Sequence, residues 1–171
     1  MQGLKKVISV VLALSVTVAA VAFPALAEDT NIALGKPVTV SVINSGAAES
    51  LTDGVTNLST QSNVWAVNSA NAPDAYADIE LGLSDINKIV VHHGMNSGPD
   101  WLKSFKIQYL GETGEEYLDL ADVTSVSANP HEITLDSTTR VKAIRFVSTG
   151  TTSFRLREIE VYGTVVGTDE T

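Results

Sequence analysis

Short β-prone runs recur along most of this chain, each ending at a turn signal, and no window of about 11 residues or more carries convincing helical periodicity. That pattern restricts the fold to sheet. Side chains alternate across a strand, so alternating runs bury one face each and must pack against one another. Residues 37–42 (PVTVSV) set Val against Thr and Ser, and 76–81 (YADIEL) and 88–93 (KIVVHH) are further candidates. In 105–109 (FKIQY) the alternation is strict, which points Phe105, Ile107 and Tyr109 inward. A shorter candidate at 132–135 precedes 140–148 (RVKAIRFVS) and 155–162 (RLREIEVY). Gly, Pro, Asn and Ser mark loops at 71–74, 94–100, 111–114 and 148–153. The chain reads as all-β, a sandwich or a barrel.

The first 27 residues stand apart. Lys5 and Lys6 precede an apolar run at 7–23, and Ala25-Leu26-Ala27 follows Pro24 as a small-residue cleavage site. This is the layout of a secretory signal, which implies a secreted or cell-surface product. Removing 27 residues from 171 leaves 144, enough for one ordinary domain with its own core. The domain is expected over 28–163, with a polar tail at 164–171 that frays.

Charge and cysteine usage narrow the partners. Loss of Lys5 and Lys6, with no acid, takes the formal net charge from −9 to −11. So acidic a surface disfavours nucleic acid and anionic membranes. It is compatible with calcium ligation and with neutral ligands such as sugars. The chain has no cysteine, which excludes thiol catalysis and cysteine zinc sites. An exported fold without disulfides holds by packing, with or without a metal.

Five stretches together resemble a known family. They are NIALGKPVTVS (31–41), LTDG followed by NVW (51–54 and 63–65), NAPDAYADIELG (71–82), FKIQYL (105–110) and LREIEVYG (156–163). Their order and spacing are similar to those of discoidin domains, also called factor V/VIII type C domains, and closest to family 32 carbohydrate-binding modules. The resemblance spans nearly all of the chain after the signal. It implies a jelly-roll β-sandwich of antiparallel sheets, with adjacent terminal strands and ligand-binding loops at one end. Fold alone does not dictate a ligand.

The resemblance also implies a structural calcium ion. The ligand set it carries over is Asp53, main-chain carbonyls near Ser50 and Val55, the side chain at Asn63, and Glu158. Asn63 departs from the usual hydroxyl residue, although an amide oxygen is also a hard donor. Without the resemblance, Asp53-Gly54 is an ordinary turn and Glu158 an exposed strand residue.

A sugar site on a β-sandwich needs an aromatic face and a few fixed polar groups on loops. Trp65 precedes a candidate strand and reads as a core anchor. Trp101, in HHGMNSGPDW, fits either a lid over the sandwich end or a stacking platform. His92 and His93 leave a strand as that loop begins. By parity with Ile89 and Val91, His93 points inward and His92 outward. In sugar-binding relatives a His here and an aromatic shortly after it contact the ligand, which adds Asn96 and Trp101. Phe154 and Arg155 follow the loop STGTTS, where relatives place an aromatic against the sugar; Phe154 also fits a core cap. Arg145 reads as an outward strand residue or a donor at a loop mouth.

No catalytic constellation stands out. Glu115 with Glu116 and Asp119 with Asp122 lie in a hairpin-like stretch, and a compact sandwich has little cleft for the paired carboxylates of glycoside hydrolysis. The third histidine, His131, is distant in sequence, and no zinc spacing results. The expected function is a monomeric, non-catalytic glycan-binding module with a structural calcium. The alternative is a surface adhesion or assembly domain that uses the same loops on protein partners.

Overall fold

The structure is a computed structural model and describes residues 30–57, 64–94 and 102–166. The signal segment lies outside these residues. In chain order the strands are β1 (Thr30–Asn31), β2 (Val38–Val40), β3 (Trp65–Val67), β4 (Tyr76–His93), β5 (Phe105–Leu110), β6 (Leu118–Val123), β7 (His131–Ser148) and β8 (Phe154–Val165). One 3₁₀ turn, Ala48–Leu51, sits between β2 and β3. Among the described residues no helix is long and apolar enough to cross a membrane.

Every strand pair is antiparallel, and the hydrogen-bonded order is β1-β8-β4-β7-β5-β6, with β2 on β4 and β3 on β8. The long strands β4 and β7 serve two sheets each. The first part of β4 pairs with β2 and with the end of β7, from Tyr76↔Val147 to Glu80↔Ala143. Its second part pairs with β8 and with the start of β7. Register shifts fall between Glu80 and Ser84 and between Ile86 and Lys88, where the strand turns the corner. Gly82, at φ 75°, supplies the backbone conformation that the first shift needs. The result is a jelly-roll β-sandwich.

Three sequence expectations change here. The separate candidates 76–81 and 88–93 are one strand, because Gly82 and its polar followers form an irregularity inside the ladder rather than a break. Likewise 132–135 and 140–148 merge into β7. The acidic stretch holding Asp119 and Asp122 is strand β6, paired along β5. β8 also continues through Thr164 and Val165, which pair with Asp85 and Ser84, so strand extends past the expected start of the tail.

The core gathers the inward faces of both sheets. Phe105 and Ile107 are fully buried and Tyr109 packs against the cluster from its edge, as their alternation predicts. Trp65 is fully buried and meets Phe154 edge-on at 5.3 Å and Phe146 at 6.1 Å between ring centres. Its indole Nε1 donates to the Val42 carbonyl at 2.7 Å, satisfying the polar edge of a buried ring. The terminal strands are adjacent: Thr30 and Asn31 pair with Gly163 and Tyr162. The Asn31 side chain reinforces this, with Oδ1 accepting from the N–H groups of Val161 and Ala33, each at 3.1 Å.

Candidate functional site

The loop after the 3₁₀ turn is tied down from several sides. Gly35 N–H donates to the Thr52 carbonyl at 2.7 Å, and the Thr52 hydroxyl donates to the Lys36 carbonyl at 2.9 Å. Ser50 is buried, and its hydroxyl donates to the Ala47 carbonyl at 2.7 Å. Gly54 has φ 80°, a conformation that glycine adopts without strain. Val55 N–H donates to Asp53 Oδ1 at 2.8 Å.

Glu158 reaches this loop from β8. The fold brings it there because β8 lies between β1, β3 and the second half of β4. Its Oε2 accepts from Gly54 N–H at 3.1 Å, while its Oε1 is buried and has no hydrogen-bond partner among the described residues. Burial pushes the Glu158 carboxyl up to about 8; the Gly54 N–H opposes this, and the charges of Asp53 and Glu160 add to it. A buried carboxyl with an orphan oxygen, next to a second carboxylate, needs either a proton or a cation. Two carboxylates with main-chain carbonyls nearby are a donor set that fits a hard divalent cation. Among the described residues no group of three or more His, Cys, Asp or Glu side chains forms a metal cluster, so main-chain oxygens must complete any such set. Asn63 lies outside the described residues.

A second feature is a recess of about 330 Å³ at one loop end, between β3 and the loop preceding β8. Ala66, Val67 and Phe154 supply its apolar part. Asn44, Ser45, Asn68, Ser153 and Arg155 supply its polar part. Asn44 Oδ1 accepts from Asn68 N–H at 2.9 Å and from Asn71 Nδ2 at 3.3 Å, which ties two loops together across the rim.

The expected ligand residues distribute unevenly. Arg155 and Phe154 line the recess, but Phe154 is 1% exposed and its ring packs on Trp65. It therefore closes the core rather than offering a stacking face. His93 is fully buried, as its parity predicts; its Nε2 donates to the Ala128 carbonyl at 2.7 Å, and its main chain is held by Asn129. That burial removes it from any ligand surface. His92 faces the other way and sits 3.0 Å from Glu160, away from the recess. Asn96 and Trp101 lie outside the described residues. Arg145 is an outward strand residue: it pairs bidentately with Asp78 at 2.6 and 2.8 Å and stacks between Tyr76 and Tyr117. His131, distant in sequence, lies opposite Val91 in the sheet; burial, and then the charge of His93, hold its pKa below the usual value.

Asn44 and Asn68 did not emerge from the sequence. The available signal was their position, as amides in the turn-rich segments INSG and NSANAP on either side of Trp65.

A jelly-roll sandwich with a polar recess at one loop end defines a class of architecture. The chain belongs to the F5/8 type C domain family, whose profile matches residues 37–159. Solved structures of similar fold include a fucolectin from striped bass (Morone saxatilis) serum, at 19% identity and TM-score 0.68, covering 83% of this chain and 51% of that one. A fucose-binding module from Streptococcus pneumoniae is 17% identical at TM-score 0.67, covering 79% and 96%. The family 32 module of NanJ from Clostridium perfringens, solved with galactose, is 16% identical at TM-score 0.65, covering 79% and 98%. The chain thus spans about half the length of the fucolectin. No curated protein matches the sequence significantly.

Proposed function

We propose that this protein is a non-catalytic glycan-binding module, exported to the cell exterior, that takes a sugar at the loop-end recess. The observation that carries this reading is the recess itself: polar side chains of Asn44, Asn68, Ser153 and Arg155 over an apolar floor, at a loop end of this fold. Solved proteins of the same fold carry the names fucolectin and fucose-binding module, and one holds galactose. Among the described residues that line the recess, none is a carboxylate.

The same reading assigns a structural calcium ion to the Gly54 loop. Asp53 and Glu158 would hold it with carbonyl oxygens near Ser50 and Val55 and with Asn63. When bound, the ion supplies positive charge to two close carboxylates and joins the loop to β8. The orphaned Glu158 Oε1 supports this assignment.

A glycan array probed with the purified chain tests the function. Binding to a discrete set of glycans, lost on Arg155→Ala, is expected. Binding to none of them, at up to about millimolar sugar in a follow-up titration, overturns it.

A further inference from the structure

We propose that a depression on the outer face of one sheet binds a small zwitterion with an apolar side chain, an α-amino acid being the simplest case. The depression has a volume of about 450 Å³ and shares no lining residue with the loop-end recess. The proposal is therefore independent of the glycan-binding reading.

Strand register builds the depression. Glu80, Ala143 and Leu110 stand in one row across β4, β7 and β5, and Asp78, Arg145 and Gln108 stand in the next. Ile144 and Phe146 belong to the core, so by alternation Ala143 and Arg145 face outward. Leu83, Leu110 and Tyr117 line the depression beside Ala143 and make it largely apolar. Tyr117 is held in place: the Arg145 guanidinium lies 4.0 Å from its ring centre, and Asp78 grips that guanidinium with both oxygens. A wall fixed before the ligand arrives lowers the ordering cost of binding.

The charges on this face divide into two kinds. Asp78 is paired with Arg145, and Lys106 donates to Asp119 at 2.7 Å. Glu80 and Lys142, which line the depression, are both exposed and carry no ion pair or side-chain hydrogen bond among the described residues. The carboxylate only accepts and the ammonium only donates. A ligand with a single charge meets one of them as a like charge, and a neutral ligand leaves both to water. An ammonium and a carboxylate on one small molecule answer Glu80 and Lys142 together, while an apolar side chain covers Ala143 and the leucines. Exposed ion pairs are individually weak, so both charges and the apolar side chain are needed.

The test is an NMR titration of the chain with L-leucine and L-phenylalanine, beside glycine and the N-acetyl derivative and amide of each larger amino acid. Each derivative removes one charge, and glycine removes the side chain. At least one of the two amino acids should bind about tenfold or more tightly than its derivatives and glycine, and should shift the amides of Glu80, Leu110, Tyr117 and Lys142. Glu80→Gln should erase the preference over the N-acetyl derivative and keep the preference over the amide. Lys142→Gln should do the reverse. Both side chains are exposed, so the melting curves should stay unchanged. Equal affinity for an amino acid and its singly charged derivatives, preferences retained in both variants, shifts confined to other surfaces, or no binding at about 20 mM overturns the proposal. If an amino acid binds here and no glycan on the array binds, the glycan-binding reading fails and this inference stands. If glycans bind at the recess and no amino acid binds here, the reverse holds.

Discussion

Gly54 N–H donates to Glu158 Oε2 at 3.1 Å, linking two residues 104 positions apart. This contact joins the loop after β2 to the last strand, and it places a buried carboxyl beside Asp53. Much of what the fold does at this end follows from how that carboxyl is neutralised.

Without metal, a proton must do it. The Glu158 carboxyl titrates near 8 in the fold against 4.5 as its ordinary value. A folded-state value raised above the unfolded one means that the native protein holds a proton the unfolded chain has released. The stabilisation is therefore complete below about 4.5 and is lost as pH rises through about 8. Chelator-treated protein should melt at a lower temperature at pH 9 than at pH 6. Saturating calcium should raise the melting temperature most at the higher pH, by about 5–10 °C at a hundredfold excess over its dissociation constant. Differential scanning calorimetry with and without chelator checks this, and curves indifferent to both pH and calcium would count against the site.

Glu158→Gln separates the two roles of that carboxyl. The amide cannot ionise and is a poorer calcium ligand. The variant should lose the calcium response and the decline between pH 6 and 9 together, while staying folded in chelator. Thermal melts across the same pH series are the readout.

Trp65 anchors the core through two edge-on aromatic contacts and one hydrogen bond from its indole to the Val42 carbonyl. Trp65→Ala should cost about 3–5 kcal/mol in urea unfolding, since it opens a large cavity and leaves that carbonyl without its donor. Trp65→Phe should cost less.

Gly163 sits where β8 crosses close to β4. A Cβ there would run into the Asp85 carbonyl oxygen and lie 2.9 Å from Ile86 Cα, both of them backbone atoms that cannot rotate away. Gly163→Ala should destabilise by about 1–3 kcal/mol or more through overpacking. Gly35→Ala, where nothing lies within 4 Å of the added atom, should cost only about 1 kcal/mol for its φ of 70°. Chemical denaturation of the pair gives the contrast.

Much of the fold was legible because alternation in FKIQY and the turn residues between runs are local signals. The lengths of β4 and β7 were not, because Gly82 reads as a breaker while it serves as the hinge of a corner-turning strand. Glu158 was placed near Asp53 through the family resemblance alone; no spacing in one dimension reveals a contact across 104 residues. The inward direction of His93 was legible from strand parity, and the core cap was one of two readings open for Phe154; the sequence alone does not show that both are buried away from the ligand surface. Asn44 and Asn68 went unnoticed because amides in turns are common, and only the folded loops bring them to one rim.

The central claim is that sugar binds at the loop end between β3 and β8, and amide chemical-shift mapping by NMR tests it most directly. Titrating the chain with a glycan selected on the array should perturb Asn44, Ser45, Asn68, Ser153 and Arg155, and leave β5 and β6 unmoved. Perturbations that cluster on β5 and β6, or none at saturating glycan, would contradict the account.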